Sequence, residues 1–359
     1  MNYVIAILVF GLLIFVHEMG HFLVAKACGI NVLQFTIGFG PAIFKKKIGH
    51  TLYALRLLPI GGAVMMQGEG ADEEELLASG EKPDLSELPP GGSYADASKL
   101  KRFLVMIAGV TMNFLLALFI LFILILPGEY KIEPVIDSFM EGFPYAASDN
   151  GGVGFEEGDR LIRINDFRIY TMNDFSMAMA YDADAHYDVT LMRGGKKIRL
   201  QNYEMHPTIY DEENGGYLYG FRLASVEVGL FGKIGYAFRN AKSNLQSAVL
   251  GLKMLLTGQV GTGDMMGTVG IANEMGQLAR TSMSSMWYFV AYISVNLAFV
   301  NLLPLPELDG GKILFLLLEL IRGKKLDPKY EMAASLVSLA LLLGLFLFIT
   351  YHDVLRIIH

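Results

Sequence analysis

Four long apolar stretches constrain the fold of this chain more than any other feature of its sequence. A helix needs roughly 20 predominantly apolar residues to cross the hydrocarbon core of a bilayer. Only 18% of the 359 residues are charged, below the roughly 25% of ordinary soluble domains. The sequence therefore predicts a polytopic α-helical membrane protein, with about four transmembrane helices. The predicted spans are residues 3–25, 103–126, 286–321 and 332–350.

The first two spans belong to a membrane core segment at residues 1–127. Between them, two β-prone runs around Pro59-Ile60-Gly61-Gly62 predict a membrane-associated β-hairpin at residues 51–67. An acidic stretch rich in proline and glycine follows at residues 69–98 and predicts a flexible loop. The core is completed by residues 281–359.

A soluble segment separates the second and third spans. Short β-like runs alternate with turns rich in glycine and aspartate at residues 128–204, which predicts an inserted small α/β domain with a short helix at Asn173–Ala180. The following linker, residues 205–280, contains an amphipathic stretch at about 233–256. Its apolar residues recur at three- and four-residue spacing, which suits a helix at the membrane surface.

Basic residues predict the orientation of the chain. Lys45, Lys46 and Lys47 lie in the first loop, whereas Arg322 and Lys324 lie in the loop after the third span. By the positive-inside tendency both loops are cytoplasmic, so the inserted domain and both termini lie outside. A net charge of −7 without a basic block argues against nucleic acid as a partner.

The stretch HEMGH within the first span carries the clearest chemical signal. His17 and His21 are four residues apart, so a helix places both on one face, where they can hold one metal ion. Glu18 is next to them, placed to accept a proton from water whose pKa zinc lowers to about 7. The motif can also arise by chance, but three polar groups in an apolar span are unfavourable unless they are partnered and functional.

A catalytic zinc needs a third protein ligand and an open position for water. Asp309 is the candidate, because Pro304 and Pro306 break the third span just before it. Irregular backbone at membrane depth survives only where it lines protein or a watery cavity. The alternative is that the Asp-Gly-Gly sequence is a turn or a helix cap at the membrane edge. Beside the histidines of the first span, Asp309 is interpreted as a ligand.

These motifs resemble the site-2 proteases, a family of intramembrane zinc metalloproteases. HEMGH in a first span and NLLPLPELDGG in a third are the most specific features. LPIGGAVMMQGE is similar to the family's membrane-reentrant β-hairpin, and GFEEGDRLIRIND to its PDZ domain. GTVGIANEMGQLA resembles the bacterial regulator-of-sigma-factor protease branch. The resemblance extends through most of the chain, and one PDZ domain fits at residues 128–204.

The resemblance implies roles for individual residues. His17, His21 and Asp309 would bind Zn²⁺, and Glu18 would be the catalytic general base. Asn113 lies either near the site or in helix packing.

Candidate substrate-binding residues come from two parts of the chain. By resemblance, Asn296 and Asn301 would hold the unwound substrate backbone near the metal, although interhelical hydrogen bonding explains them equally well. The run from Arg56 to Gln67 is a candidate exposed strand edge that could capture an extended segment by strand addition. Its candidate residues are Gly61, Gly62, Val64 and Met65.

Three residues depart from the family pattern. Val110 replaces a proline in the second span, and Thr268 replaces the proline of a Gly-Pro-Val-Gly-Ile pattern. Glu307 stands where a small or apolar residue is usual. We expect Glu307 to face the cytoplasm rather than bind a second ion, because an extra buried carboxylate is unfavourable.

The resemblance implies an intramembrane zinc metalloprotease of the bacterial cytoplasmic membrane. Its substrates would be single-span proteins such as anti-sigma factors, or signal peptide remnants, cut within their transmembrane segments during regulated intramembrane proteolysis. The PDZ domain would lie outside and screen shortened ectodomains, with the active site towards the cytoplasmic side. The alternatives are an inactive membrane-anchored PDZ binding module and a zinc transporter.

Overall fold

The computed structural model describes residues 2–69, 88–181, 185–207, 209–211, 216–258, 266–324 and 326–358. Its elements, in chain order, are α1 (Asn2–Ala27), β1 (Val32–Ile48), β2 (Thr51–Met66), α2 (Lys99–Ile125), β3 (Tyr130–Phe139), β4 (Arg160–Ile164), β5 (Phe167–Arg168), α3 (Met172–Tyr181), β6 (His186–Arg193), β7 (Lys196–Glu204), β8 (Ile209–Asp211), β9 (Gly216–Leu218), β10 (Phe221–Glu227), α4 (Leu230–Thr257), α5 (Thr268–Thr281), α6 (Met283–Asn301), α7 (Asp309–Arg322) and α8 (Pro328–Ile358).

The chain divides into two compact units. The first, here called the membrane unit, comprises Met1–Ile120 and Gly251–His359, and the second, the inserted unit, comprises Leu121–Leu250. Within the described part of the chain, α1, α2, α6 and α8 are long and apolar enough to cross a membrane. The four predicted spans are thereby confirmed as helices. The predicted acidic loop falls mostly at residues 70–87, outside the described residues.

The third span is broken where the prolines predict a break. α6 ends at Asn301 and α7 begins at Asp309, so only α6 has the length of a span. The glycines after Asp309 let the backbone fold back tightly. A Cβ atom at Gly310 would lie 2.2 Å from the carbonyl oxygen of Leu302, and one at Gly311 would lie 2.1 Å from that of Leu305.

β1 and β2 form a sheet in which β1 is flanked on two sides. The turn between the strands is at residues 49–50, and the first half of β1 is buried whereas its second half is exposed. Ile37 pairs with Leu55 and also with Gly62, so segments 52–55 and 62–65 lie on opposite sides of β1. The prediction of a hairpin closed by the Pro-Ile-Gly-Gly turn is therefore wrong. The two apolar runs pair with β1 and not with each other.

The inserted unit contains a six-stranded sheet in the order β10-β3-β4-β6-β7, with β5 paired to β4. Its core is built by alternating apolar side chains of these strands and by α3, among them Ile136, Leu161, Ile164, Phe175 and Leu191. The short helix expected at Asn173–Ala180 is confirmed as α3. The small domain was predicted to end at residue 204, but β10 lies beyond that boundary and pairs with β3.

Helix α4 follows the sheet and buries its small and polar face. Buried residues on this helix include Ala237, Asn240, Ser243 and Ser247. The Gln246 amide nitrogen donates to Asp174 at 2.8 Å, which fixes the helix to α3 within the inserted unit. The predicted amphipathic stretch, residues 233–256, is thus part of a helix, and its large apolar side chains on the opposite face are exposed.

Candidate active site

Two turns of α1 and the first residue of α7 meet at one point in the membrane unit. The Nε2 atoms of His17 and His21 are 3.2 Å apart, and each lies 3.3 Å from Oδ2 of Asp309. The three side chains are only 12, 11 and 14% exposed. They form a group of potential metal ligands whose donor atoms all lie within 4.8 Å of one another.

Helix α2 supports the two histidines from one side. Nδ1 of His21 lies 2.8 Å from the carbonyl oxygen of Val105, which leaves Nε2 to face the other ligands. Gly109, one turn further along α2, provides the space for both rings. A Cβ atom at Gly109 would lie 2.3 Å from Nε2 of His21 and 2.7 Å from Cε1 of His17. Any larger residue at this position would displace the ligands.

Close approach of α1 and α2 is set by a second glycine. A Cβ atom at Gly20 would lie 2.5 Å from the carbonyl oxygen of Ala108 and 2.8 Å from Cγ of Met112. The backbone of α1 at Gly20 therefore packs directly against the backbone of α2 at Ala108, an approach that small residues allow between membrane helices. Gly20 is the small residue inside HEMGH, and it brings the neighbouring histidines against Gly109.

The donor set fits a zinc ion. Two imidazole nitrogens and a carboxylate oxygen are ligands that catalytic zinc sites use, with a fourth position left for water. Oδ2 of Asp309 is buried and has no hydrogen-bond donor among the described residues. A positive ion between these three atoms would satisfy that oxygen and remove the unfavourable contact of two Nε2 lone pairs.

Glu18 lies beside this group and against the sheet. Its charge interacts with those of His21, His17 and Asp309. A Cβ atom at Gly62 would lie 2.7 Å from Cγ of Glu18, so β2 passes the glutamate at van der Waals distance. Among the described residues, the segment of β2 around Gly62 pairs with β1 on one side only, and therefore presents a strand edge next to Glu18.

Comparisons with known proteins agree with this geometry. A sequence model described as peptidase family M50 matches residues 5–345. The chain belongs to peptidase family M50. A Clostridium perfringens protein is 35% identical over 99% of this chain and 98% of its own length. The regulator of sigma-W protease RasP of Bacillus subtilis is 29% identical over 99% of each chain. The zinc metalloprotease RasP of Bacillus licheniformis is 30% identical over 99% of this chain and 100% of its own length.

Membership in family M50 confirms the resemblance to the site-2 proteases and makes the chain a zinc metalloprotease. The apolar helices make it a membrane protein. Three of the residues singled out in the sequence, His17, His21 and Asp309, are brought together by the fold. Glu18 is the fourth, and it adjoins them.

The candidate substrate-binding residues are placed in two different ways. Gly61 and Gly62 lie at the bend of β2, and Val64 and Met65 follow on its edge, paired with Phe35 and Gln34. The amide nitrogen of Asn296 donates to the carbonyl oxygen of Tyr292 at 2.8 Å, within α6. Asn301 is the last residue of that helix.

Glu307 is exposed in the break between α6 and α7 and is not among the three described side chains that converge as metal ligands.

Sequence reasoning missed the parts played by Gly109 and by the Val105 carbonyl oxygen. A glycine in an apolar helix has many uses, and a backbone carbonyl leaves no trace in a sequence. What Gly109 and the Val105 carbonyl oxygen contact becomes visible only when α1, which carries HEMGH, is packed against α2.

Proposed function

We propose that this M50 peptidase hydrolyses peptide bonds within the transmembrane segments of single-span substrates. The observation that carries the proposal is the convergence of His17, His21 and Asp309 beside Glu18, in helices that are long and apolar enough to cross a membrane. Ligands buried at the level of such helices suit a substrate that is itself in the membrane. Anti-sigma factors and signal peptide remnants are the proposed substrate classes, supported by the sigma-W regulator among the relatives.

In this proposal His17, His21 and Asp309 hold Zn²⁺ and Glu18 is the general base. Zinc, when bound, supplies a Lewis acid that activates water and polarises the carbonyl of the scissile bond. Glu18 accepts the proton of the attacking water and delivers it to the departing amine. Glu18 is only partly exposed, which strengthens its electrostatic interaction with the reacting groups because fewer waters screen it.

The edge of β2 is the proposed binding place for the substrate backbone. A membrane helix hides its amides in internal hydrogen bonds, so it must unwind before it can be cut. Within the described part of the chain, residues 62–65 offer backbone groups on one side that pair with no other strand, and they pass Glu18 at Gly62. Strand addition to this edge would hold an unwound segment beside the general base. Asn296 and Asn301 are proposed to contact the same segment.

The inserted unit is proposed to be a PDZ domain that lies outside the cytoplasm and screens substrate ectodomains. Supporting features are its size, its antiparallel sheet and α3.

The cytoplasmic membrane of a bacterium is the proposed location, with the active site towards the cytoplasm. In a Cys28→Ser background, a cysteine at exposed Asp166 should react with an impermeant maleimide on intact cells. A cysteine at exposed Lys324 should react only after permeabilisation, and the reverse pattern contradicts the orientation.

Helix α4 is proposed to lie on the bilayer surface. Its exposed apolar side chains recur at three-, four- and seven-residue intervals: Phe231, Ile234, Phe238, Leu245, Val249 and Leu256. All charged residues of the helix are basic, which favours contact with anionic headgroups.

The experiment that tests the proposed function separates the base from the ligands. Glu18→Gln should keep zinc, because Glu18 is not a ligand, but should lower cleavage of a single-span substrate by roughly 10²-fold or more. Asp309→Ala and His17→Ala should lower both zinc content and cleavage. A binding module predicts no cleavage by any of these proteins, and a transporter predicts zinc flux without proteolysis. Cleavage by Glu18→Gln at the wild-type rate contradicts the proposal.

A further inference from the structure

Asn113 is a buried amide on α2 that points at one of the histidines. Asn113 is 0% exposed, and its Nδ2 atom lies 3.3 Å from Nδ1 of His17. The other end of the amide, Oδ1, is buried without a hydrogen-bond donor in the described part of the chain. A fully buried, unsatisfied amide oxygen is unfavourable and calls for an explanation.

The chemistry of a metal-bound histidine supplies one. A histidine that gives Nε2 to a metal carries its proton on Nδ1, and that N–H needs an acceptor which also fixes the orientation of the ring. For His21 the acceptor is the carbonyl oxygen of Val105, 2.8 Å from Nδ1. For His17 the polar group at Nδ1 is the amide of Asn113. The nitrogen and oxygen of an amide are interchanged by a flip. With the oxygen towards His17, the ring N–H donates to Oδ1, which is then no longer unsatisfied.

A second contact joins this turn of α2 to α6. The hydroxyl of Ser294 on α6 donates to the backbone carbonyl oxygen of Asn113 at 2.8 Å. Both residues are 0% exposed. The bond joins α2 and α6 at the level of the candidate ligands, so the amide of Asn113 is held at a fixed distance from His17.

We propose that Asn113 is a positioning residue of the zinc site, which accepts a hydrogen bond from Nδ1 of His17 and thereby orients Nε2 towards the metal. Ser294 anchors the turn of α2 that carries Asn113. This inference rests on the proposed role of His17 as a ligand. In this arrangement each histidine has its own hydrogen-bond acceptor on α2: a backbone carbonyl oxygen for His21 and a side-chain amide oxygen for His17.

The test measures zinc affinity by competition with a chelator, on purified full-length protein in detergent. Asn113→Leu preserves the volume and removes the acceptor, so it should weaken zinc binding by about 10- to 100-fold. Asn113→Asp preserves the acceptor and should bind zinc at least about tenfold more tightly than Asn113→Leu. The matched control is Asn240→Leu, which changes a buried amide on α4 that is bonded within its own helix and lies outside the candidate site. Its zinc affinity should equal that of the wild type.

Two results overturn the inference. One is wild-type zinc affinity in Asn113→Leu, and the other is equally weak binding in Asn113→Leu and Asn113→Asp, since the acceptor is then not what matters. The fluorescence of Trp287, the only tryptophan, reports whether each variant is folded. If the leucine variant does not fold, Asn113→Ala takes its place. His17→Ala distinguishes the two levels of the argument, because wild-type zinc affinity in that variant contradicts the ligand set itself.

Discussion

Lys312 and Glu69 form an ion pair that joins the helix of Asp309 to the end of the sheet. Nζ of Lys312 lies 3.0 Å from Oε1 of Glu69, whose side chain is only 8% exposed. Lys312 is one turn after Asp309 on α7, and Glu69 is three residues after the last residue of β2. The same strand passes Glu18 at Gly62. The pair therefore connects the end of β2 to the helix that begins with the third ligand.

We expect charge reversal in this pair to disturb catalysis. Lys312→Glu and Glu69→Lys each place like charges together, and a displacement of ~1 Å at a reacting centre can lower rates by about 10²-fold. Combining both reversals restores the pair and should recover most of the cleavage of a single-span substrate. Lys324→Glu, an exposed position after α7, is the control and should leave cleavage unchanged. Two reversals that merely add their losses contradict a direct pairing.

Gly109 should tolerate no side chain. The Cβ atom of Gly109→Ala would overlap Nε2 of His21, so the ligands must move apart and zinc affinity should fall by at least about tenfold. Gly344→Ala is the matched control, since Gly344 lies in the apolar helix α8 and a Cβ atom there would meet nothing within 4 Å. Zinc content of both purified variants is the measurement. Equal occupancy would show that the histidines are not confined by α2.

Proline scanning tests the strand edge. Alternate amides of a strand point to opposite sides, so one of Val64→Pro and Met65→Pro removes an outward donor and the other removes a donor to β1. The first kind of variant should keep zinc and the fold but cleave more slowly, whereas the second should also disturb the sheet. Lys46→Pro lies on the opposite edge of the sheet, which among the described strands pairs with segment 51–58, and this variant should cleave normally. Full cleavage by both β2 variants contradicts substrate capture at this edge.

The inserted unit should lose stability in acid through Glu133. Burial raises the pKa of Glu133, but hydrogen bonds and charges from Arg239 and then Arg160 outweigh it and hold the pKa below its usual value. A carboxyl with a lowered pKa in the folded state stabilises the fold fully above its ordinary pKa, and this contribution disappears as the pH falls through the folded-state pKa.

The protection factors of amide hydrogens in β3, β4 and the first half of α4, that is, exchange rates corrected for the intrinsic pH dependence of amide exchange, should therefore fall between about pH 6 and about pH 3 in the full-length protein. Glu133→Gln should exchange faster at the upper end of this range and show a smaller acid effect. Glu141→Gln, an exposed carboxyl of the same unit, is the control. An unchanged pH profile in Glu133→Gln would contradict the assignment of this acid effect to the Arg-Glu-Arg cluster.

The sequence by itself determined the features that are local along the chain. Helical spacing placed His17 and His21 on one face, and the lengths of the apolar runs specified the four spanning helices. The prolines before Asp309 predicted the break of the third span, because proline removes a backbone donor and clashes with the preceding turn. The need of a catalytic zinc for a third ligand, together with this break, indicated Asp309 as a partner for the histidines, although they lie near opposite ends of the chain.

Only the tertiary structure decided which groups surround that motif. Two similar apolar runs can each pair with β1, and no local pattern states that they take opposite sides of it. The acceptor for His21 is a backbone carbonyl, a group that every residue carries. Gly109, Asn113 and the Glu69–Lys312 pair acquire their meaning from contacts between distant segments. Packing selects such contacts through shape and hydrogen-bond satisfaction over the whole core, so they have no signature in the sequence near any one of them.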